Sequence, residues 1–325
     1  MCRKGKFLGE ASQMLLTKSP IRFAKVAIEI TREVLPQYRT KFSKKDFEWP
    51  QLVSCLLVQL YFKLDLRGTE QLLLEFTGVR KALGLTRVPD HTSLCRAYKN
   101  ISYQELEKLL TATTARLPRL RPKVGRPAKK KTVITDSTGM RQDQASHHYI
   151  NRRRRLKPKS WPKWSVAIDR KTHMILAQEV GKGPSGDASL FSPLMDAAQK
   201  RRRSDEALAD AGYDSEKNLR LCRNRWKVKG IICVKAGRPS QKKPAGAERR
   251  KLKAKFPKKA YGQRWQVESM FSAHKRRFGE VLRCRTVARR RRELKLHGIL
   301  HNLAVLFYRI ATEQGCSTFP MSPMS

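Results

Sequence analysis

The sequence predicts an α/β fold in which a helical N-terminal domain precedes a domain built on a mixed β-sheet. Up to Leu117, apolar residues recur at helical spacing, whereas from Lys131 onwards β-branched apolar runs alternate with helical segments. A stretch rich in proline, glycine and positive charge, residues 118–131, separates the two patterns. A chain of 325 residues is long enough for two such domains, since a domain usually holds roughly 100 to 200 residues.

The N-terminal region begins with a basic and weakly patterned segment, residues 1–48, whose single convincing helix spans residues 21–35. We expect this segment to be a flexible arm. Residues 49–64 are apolar enough for a buried helix, and residues 69–85 form the next helix, which Gly84 ends.

A short helix and a longer one complete the helical domain, residues 49–120. The short helix follows a turn at Pro89, with Thr92 or Ser93 as its cap, and the longer one spans residues 103–117. Short helices in a basic chain are typical of a helix-turn-helix, in which one helix enters the major groove of DNA. A plain helical bundle gives the same pattern, so both interpretations stay open.

The second domain, residues 132–312, follows a basic linker at residues 121–131 and precedes a C-terminal tail at residues 313–325. Its elements follow the order β-β-β-α-β-α-β-α, so three strands form an antiparallel meander and two more are reached by helical crossovers. The first and fourth strands then run parallel as neighbours at the centre of the sheet. The predicted strands span residues 131–137, 163–169, 173–180, 206–211 and 228–235. Asp187 lies at the predicted N-cap of the helix after the third strand, and Asp214 and Ser215 cap the helix after the fourth.

The charge of the chain points to a polyanionic partner. There are 71 Lys and Arg residues against 27 Asp and Glu residues, which gives a net charge of +44. A nucleic acid would offset the resulting self-repulsion. A membrane surface fits less well, because the basic residues are spread over strands, helices and loops instead of one amphipathic helix.

The sequence also predicts a soluble protein of the cytoplasm, associated with the nucleoid through DNA. The most apolar stretch, residues 52–62, is too short to span a bilayer, and residues 1–16 lack the apolar core of a signal peptide. The seven cysteines contain no CxxC pair, which fits reduced thiols and does not match the usual zinc-binding pattern.

Carboxylates mark a candidate catalytic site at the ends of the central strands. Asp136 and Asp210 lie near the distal ends of the first and fourth strands, and neighbouring carboxylates repel each other unless a cation lies between them. A helix packed across the sheet can add a third carboxylate, Glu268. Three oxygen ligands suit Mg²⁺ or Mn²⁺, and a pair of such ions promotes in-line attack on a phosphodiester.

The helix that carries Glu268 is predicted over residues 259–278. At about 100° per residue, one stripe about 60° wide contains the polar residues Tyr261, Arg264, Glu268 and Lys275. Taken alone, this is also the pattern of a basic surface helix in which Arg264 and Glu268 form an i,i+4 ion pair. The two aspartates on the predicted sheet favour the catalytic interpretation.

Three separated motifs carry a resemblance to a known family. They are residues 135–139 (TDSTG), residues 209–215 (ADAGYDS) and the spacing Tyr261-x2-Arg264-x3-Glu268-x6-Lys275. These motifs resemble those of the DDE transposases of bacterial insertion sequences, whose Tyr-Arg-Glu-Lys spacing the third one matches. The short stretches at residues 88–94 and 301–303 also look like that family, so the resemblance covers roughly residues 50–310.

The resemblance implies a ribonuclease-H-like (retroviral-integrase-like) catalytic core and the activity of a DNA transposase. It makes Asp136, Asp210 and Glu268 the catalytic and metal-binding triad, holding two Mg²⁺ or Mn²⁺ ions and no other cofactor. The implied reaction is strand cleavage at terminal inverted repeats followed by strand transfer into target DNA. Two-ended chemistry of this kind suits a homodimer on DNA.

Further residues are expected to touch the DNA. The resemblance assigns this role to Tyr261, Arg264 and Lys275. A long predicted loop adds Arg152, Arg153, Arg154 and Arg155, for which simple solvent exposure is the alternative. Trp161, Trp164 and Trp265 are candidates for stacking on a displaced base, although core packing is favoured for Trp164.

Two other functions stay open at this point. A nuclease of the same fold would cut DNA without joining it, and a catalytically inactive relative would bind DNA without cutting it. The interval between Asp210 and Glu268 is short and basic, unlike that of relatives with a large β insertion. Mechanisms that depend on the insertion, such as hairpin formation at the excised end, are therefore not carried over.

The charge of the chain predicts that DNA binding weakens steeply with salt. If six to ten phosphates are contacted, raising the salt from about 50 to about 200 mM should lower the affinity by about 10³ to 10⁵, because binding releases condensed counterions. Fluorescence anisotropy with a labelled duplex measures this dependence. An affinity that stays flat over this range would contradict the charge argument.

Overall fold

The computed structural model of the chain describes residues 19–116, 130–142, 161–235 and 244–313, with side chains as far as residue 307. Within these ranges, no helix is both long and apolar enough to cross a membrane. Arg152, Arg153, Arg154 and Arg155 lie outside them, as do most of the predicted linker and of the C-terminal tail.

Helices form the whole of the described N-terminal part. Their apolar faces join those of the later elements in one hydrophobic core. The helices are α1 (Pro20–Val34), α2 (Trp49–Phe62), α3 (Leu66–Glu75), α4 (Thr77–Ala82), α5 (His91–Asn100) and α6 (Tyr103–Ala115).

Helix α1 belongs to this core. Phe23 and Ile30 are fully buried, and the Thr31 hydroxyl lies 2.8 Å from the hydroxyl of Ser54 in α2. The prediction of a flexible arm over residues 1–48 is therefore wrong for α1, because the helix has an apolar face that must be buried against α2 and α6.

The helix predicted over residues 69–85 is two helices. Asp65 caps α3 by accepting a hydrogen bond from the backbone of Gly68 at 2.6 Å, so this glycine lies inside the helix instead of before it. The chain leaves the helical conformation at Phe76 and resumes as α4. Helix α5 is capped by Asp90, which accepts from the Ser93 backbone at 2.8 Å, and not by Thr92 or Ser93 as predicted.

A five-stranded mixed sheet forms the centre of the second part, and the fold as a whole is mixed α/β. The strand order is β3-β2-β1-β4-β5. Strand β1 pairs antiparallel with β2 and parallel with β4, so the predicted meander and the predicted parallel central pair are confirmed. The strands are β1 (Thr132–Gly139), β2 (Trp161–Asp169), β3 (Ile175–Gly183), β4 (Glu206–Ala209) and β5 (Lys229–Ile232).

Helices cover this sheet. Helices α11 and α12 pack on the face that carries Trp164, whose ring lies 5.8 Å from that of Phe271 in α11. The neighbouring residue Lys163 points to the opposite face, since side chains alternate along a strand. The helices are α7 (Phe191–Arg201), α8 (Glu216–Leu221), α9 (Ala247–Ala254), α10 (Lys258–Tyr261), α11 (Trp265–Phe278) and α12 (Val287–Glu313).

Asn302 joins α12 to the edge strand β3 and to α6. Its side-chain oxygen accepts from the backbone N–H of Ile175 at 2.7 Å, and its amide donates to the Ile175 carbonyl and to the Thr113 hydroxyl, each at 2.9 Å. The side chain is fully buried. It therefore supplies the backbone of Ile175 with the hydrogen bonds that a neighbouring strand would otherwise make.

Replacing Asn302 with alanine should destabilise the fold. The buried groups of Ile175 and Thr113 would lose their partner, which should lower the free energy of unfolding by about 3 kcal/mol. Urea denaturation measures the loss. Asn100→Ala, at the exposed end of α5, is the matched control and should change stability by less than about 0.5 kcal/mol. Equal stability of the two variants would contradict this account.

Candidate active site

The two central strands bring Asp136 and Asp210 to one edge of the sheet. The last paired residues of β1 and β4 are Thr135 and Ala209, so each aspartate follows directly after its pair. Asp136 accepts a hydrogen bond from the Ser137 backbone at 2.8 Å. Asp210 accepts from the Gly212 backbone, also at 2.8 Å, and so caps the short turn that follows β4. The carboxylate of Asp136 is therefore held within β1 by the next residue, and that of Asp210 by the turn after β4.

One helical run crosses this edge, as predicted for residues 259–278, but it is not uniform. A 3₁₀ turn, Gly262–Arg264, lies between α10 and α11. Val267, Met270 and Phe271 are buried and fix α11 against the sheet. The flank that carries Arg264, Glu268 and Lys275 therefore lies beside β1.

Arg264 links the aspartate to the glutamate. One guanidinium nitrogen donates to Asp136 Oδ2 at 2.9 Å, and the other donates to Glu268 Oε1 in a short hydrogen bond. The Glu268 side chain is 55% exposed, whereas that of Asp136 is largely buried. Arg264 thus connects Glu268 to Asp136.

Negative charge accumulates around Asp136. Burial raises the pKa of this carboxyl group from 3.8 to about 6; the Ser137 N–H and Arg264 act against this rise, and the charges of Asp210 and Glu268 add to it. The raised pKa shows that one guanidinium does not offset the burial and the neighbouring carboxylates. A further cation would be favourable here.

The donor chemistry fits a divalent cation. Asp136, Asp210 and Glu268 supply the carboxylate oxygens that Mg²⁺ and Mn²⁺ prefer. Among the residues that the structure describes, however, no three acidic, His or Cys side chains are arranged to hold a metal ion. Arg264 occupies one oxygen of Asp136 and one of Glu268, so it would compete with a metal ion for these two oxygens.

The other two residues of the stripe lie on either side of this contact. Lys275 donates to the carbonyl of Gly139, at the end of β1, at 2.8 Å. Tyr261 packs against Phe256, with ring centroids 5.0 Å apart, and burial raises the pKa of its hydroxyl to about 12. The stripe thus runs along the sheet edge, and DNA binding by its residues stays a prediction.

Asp187 belongs to this region, although sequence reasoning treated it as a helix cap. It makes no side-chain capping bond. Its Oδ1 accepts from the Ser137 hydroxyl at 2.9 Å and lies 2.6 Å from Lys163 Nζ. The sequence does not show this role, because Ser137 and Asp187 are 50 residues apart and meet only in the folded chain. Asp214, also taken for a cap, forms a buried ion pair with Arg249.

The three tryptophans considered for base stacking differ in exposure. Trp164 is fully buried, so its predicted core packing is confirmed. Trp161 is 42% exposed and Trp265 is 43% exposed. Stacking of either ring on a displaced base stays a prediction.

One family model and one solved structure are similar to this chain. The family model described as "Transposase DDE domain" matches residues 127–304. A cryo-EM structure of a piggyBac transposase synaptic complex with hairpin DNA is similar with a TM-score of 0.43 and 10% sequence identity, over 98% of this chain and 78% of that one. The family match runs from just before β1 into α12, and so includes Asp136, Asp210 and Glu268.

The raised pKa predicts that ionised Asp136 reduces stability at neutral pH. A carboxyl group whose pKa is higher in the folded chain contributes stability while protonated, and this contribution is lost as the pH rises through about 6. Asp136→Asn should therefore raise the free energy of unfolding at about pH 7.5 by up to about 3 kcal/mol, because the shift is about two pKa units. The gain should disappear near pH 3.5. Urea denaturation at both pH values measures it.

Asp169→Asn is the matched control for that measurement. Asp169 is a buried carboxylate on the same sheet, but it accepts two hydrogen bonds from Thr172 and pairs with Arg202. Its replacement should lower stability at neutral pH. If Asp136→Asn also lowers stability there, the electrostatic account of the site is wrong.

Proposed function

This chain belongs to the transposase DDE domain family, and we propose that it is the transposase of an insertion sequence. It binds the terminal inverted repeats of its element, hydrolyses a phosphodiester there to free a 3′ hydroxyl, and directs that hydroxyl at target DNA. The observation that carries this proposal is the meeting of Asp136 and Asp210 at one sheet edge, with the helix of Glu268 across it.

The proposed core is ribonuclease-H-like. Its support is the sheet itself, in which an antiparallel meander of β1, β2 and β3 continues through β1 into the parallel strands β4 and β5. In this arrangement the pairing of the first and fourth strands ends directly before Asp136 and Asp210. The proposed catalytic carboxylates therefore come from strands that are distant in sequence and adjacent in the sheet.

Asp136, Asp210 and Glu268 are the proposed ligands of two Mg²⁺ or Mn²⁺ ions. When bound, such ions activate a water or a 3′ hydroxyl and stabilise the leaving oxygen. Asp136 is held by the Ser137 backbone and Asp210 by that of Gly212, so both supply fixed oxygens. Glu268 lies on the exposed helix flank and is free to turn once Arg264 leaves it.

Arg264 and Lys275 are the proposed phosphate-binding residues beside these carboxylates. The planar guanidinium of Arg264 matches two oxygens of a phosphate as well as it matches carboxylates. Lys275 places its ammonium at the end of β1. Tyr261, one turn before Arg264, would contact the cleaved end of the DNA.

The proposed partner is DNA, and the charge supports it. The net charge of +44 contrasts with the local excess of negative charge at the site. A surface of this kind attracts the backbone, while the carboxylates keep phosphates at a distance unless a cation intervenes. Joining two element ends would require two copies of the chain, so we propose a homodimer on DNA in the cytoplasm, at the nucleoid.

Alanine at any of the three carboxylates should abolish Mg²⁺-dependent strand cleavage. Asp136→Ala, Asp210→Ala and Glu268→Ala each remove a proposed metal ligand, whereas DNA affinity should stay within about threefold because phosphate contacts dominate binding. Cleavage of a labelled element end and anisotropy measure the two quantities. Wild-type cleavage by any of the three variants would disprove the triad.

Glu29→Ala is the control for Glu268→Ala. Glu29 is also an exposed glutamate paired with an arginine, Arg116, but it lies on α1. Its loss should leave cleavage unchanged. Precut ends extend the test to joining: a nuclease gives no strand-transfer product, and an inactive relative gives neither cleavage nor transfer. Short inverted repeats and a target duplication around the gene would support the insertion sequence directly.

A further inference from the structure

We propose that Asp187 is a positioning residue, which holds strand β1 at Asp136 against the turn that carries Asp210. The proposal rests on the proposed function, since it concerns the same carboxylates. Asp187 lies in the segment between β3 and α7, outside the three motifs. We call Asp187 with Ser137 and Gly212 the aspartate clamp.

One arm of the aspartate clamp reaches Asp136 through Ser137. The hydroxyl of Ser137 donates to Asp187 Oδ1 at 2.9 Å, while its backbone N–H donates to Asp136 Oδ1 at 2.8 Å. Ser137 is therefore fixed on one side by Asp187 and fixes Asp136 on the other. A shift of Asp187 would be passed to Asp136 by two hydrogen bonds.

The other arm reaches Asp210 through Gly212. The backbone N–H of Gly212 donates to Asp210 Oδ1 at 2.8 Å. A Cβ atom on this glycine would lie 3.0 Å from Asp187 Oδ2 and 3.0 Å from Asp210 Oδ1. A side chain at this position would crowd both carboxylates, which places Asp187 beside the turn that carries Asp210.

Lys163 fixes the aspartate clamp from β2. Its ammonium lies 2.6 Å from Asp187 Oδ1 and donates to the Ser185 carbonyl, also at 2.6 Å. Both side chains of the pair are largely buried. The Lys163–Asp187 pair has no net charge. Asp187 can therefore lie near Asp210 without adding to the repulsion between the carboxylates of the site.

Asp187 acts from behind the site. Ser137 and Asp136 are consecutive in β1, so their side chains point to opposite faces of the sheet, and Asp136 faces Arg264. Asp187 contacts Ser137 on the reverse face. It is therefore a positioning residue, and its effect must pass through Ser137 and through the turn at Gly212.

The test compares Asp187→Ala, Asp187→Asn and Ser137→Ala in the full chain. Removing an outer hydrogen-bond partner of a metal ligand typically costs 10- to 100-fold in metal affinity or activity. Asp187→Ala should lower kcat for end cleavage by that factor and weaken Mn²⁺ binding, followed by electron paramagnetic resonance, by about 10-fold. The Kd for DNA should not change. Asp187→Asn keeps an acceptor for Ser137 and should recover part of both losses.

A double-mutant cycle separates the aspartate clamp from a general loss of stability. Ser137→Ala combined with Asp187→Ala should be no worse than Asp187→Ala alone, because both changes remove the same contact. Ser137→Ala also keeps the test valid if Asp187→Ala does not fold. Asp169→Ala is the matched control, because it breaks another buried carboxylate pair on β2. When this variant is assayed below its melting temperature, its kcat should stay within about twofold of the wild-type value.

The outcomes distinguish the aspartate clamp from the proposed function. If the wild-type chain cleaves DNA and Asp187→Ala cleaves it equally fast, the clamp is wrong and the function stands. An equal loss of kcat in Asp169→Ala also overturns the clamp. If the wild-type chain binds Mn²⁺ without cleaving DNA, the function is wrong and Mn²⁺ binding by Asp187→Ala still decides on the clamp. A chain that neither cleaves nor binds Mn²⁺ overturns both.

Discussion

The parallel pairing of β1 with β4 is the constraint on which the candidate site depends. Parallel neighbours end at the same edge of a sheet, so residues 74 positions apart, Asp136 and Asp210, become adjacent without any local motif that joins them. The antiparallel strands β2 and β3 extend the sheet on the other side and supply Lys163. Helix α11 crosses this edge and thereby brings Glu268 close to Asp136.

Bringing carboxylates together costs free energy, and the surrounding residues reflect that cost. Burial, together with the charges of Asp210 and Glu268, raises the pKa of Asp136, and the hydrogen bond from Ser137 and the contact with Arg264 offset only part of this rise. Asp187 avoids the same cost by pairing with Lys163. A fold whose stability suffers from its own carboxylates is the usual compromise at sites that bind cations or perform catalysis.

Sequence periodicity was sufficient for the sheet and for the order of its strands, because each strand is a short apolar run ending at a turn. Periodicity was insufficient where contacts between residues distant in sequence determine which groups are buried or paired. Helix α1 looked like an isolated helix in a basic arm until α2 and α6 were seen to cover its apolar face. Asp187 looked like a cap, since its partners Ser137 and Lys163 lie on other strands.

Arg264 shows most clearly how context changes an interpretation. Local spacing explains its contact with Glu268 as an ordinary i,i+4 pair, which at an exposed position contributes only about 0.3 to 0.5 kcal/mol. The contact with Asp136 has no local explanation. Since one guanidinium serves both carboxylates, a phosphate that draws Arg264 away would leave two negative groups without their cation. Under the proposed function, arrival of the DNA backbone and binding of a divalent cation at Asp136 and Glu268 are therefore mutually favourable.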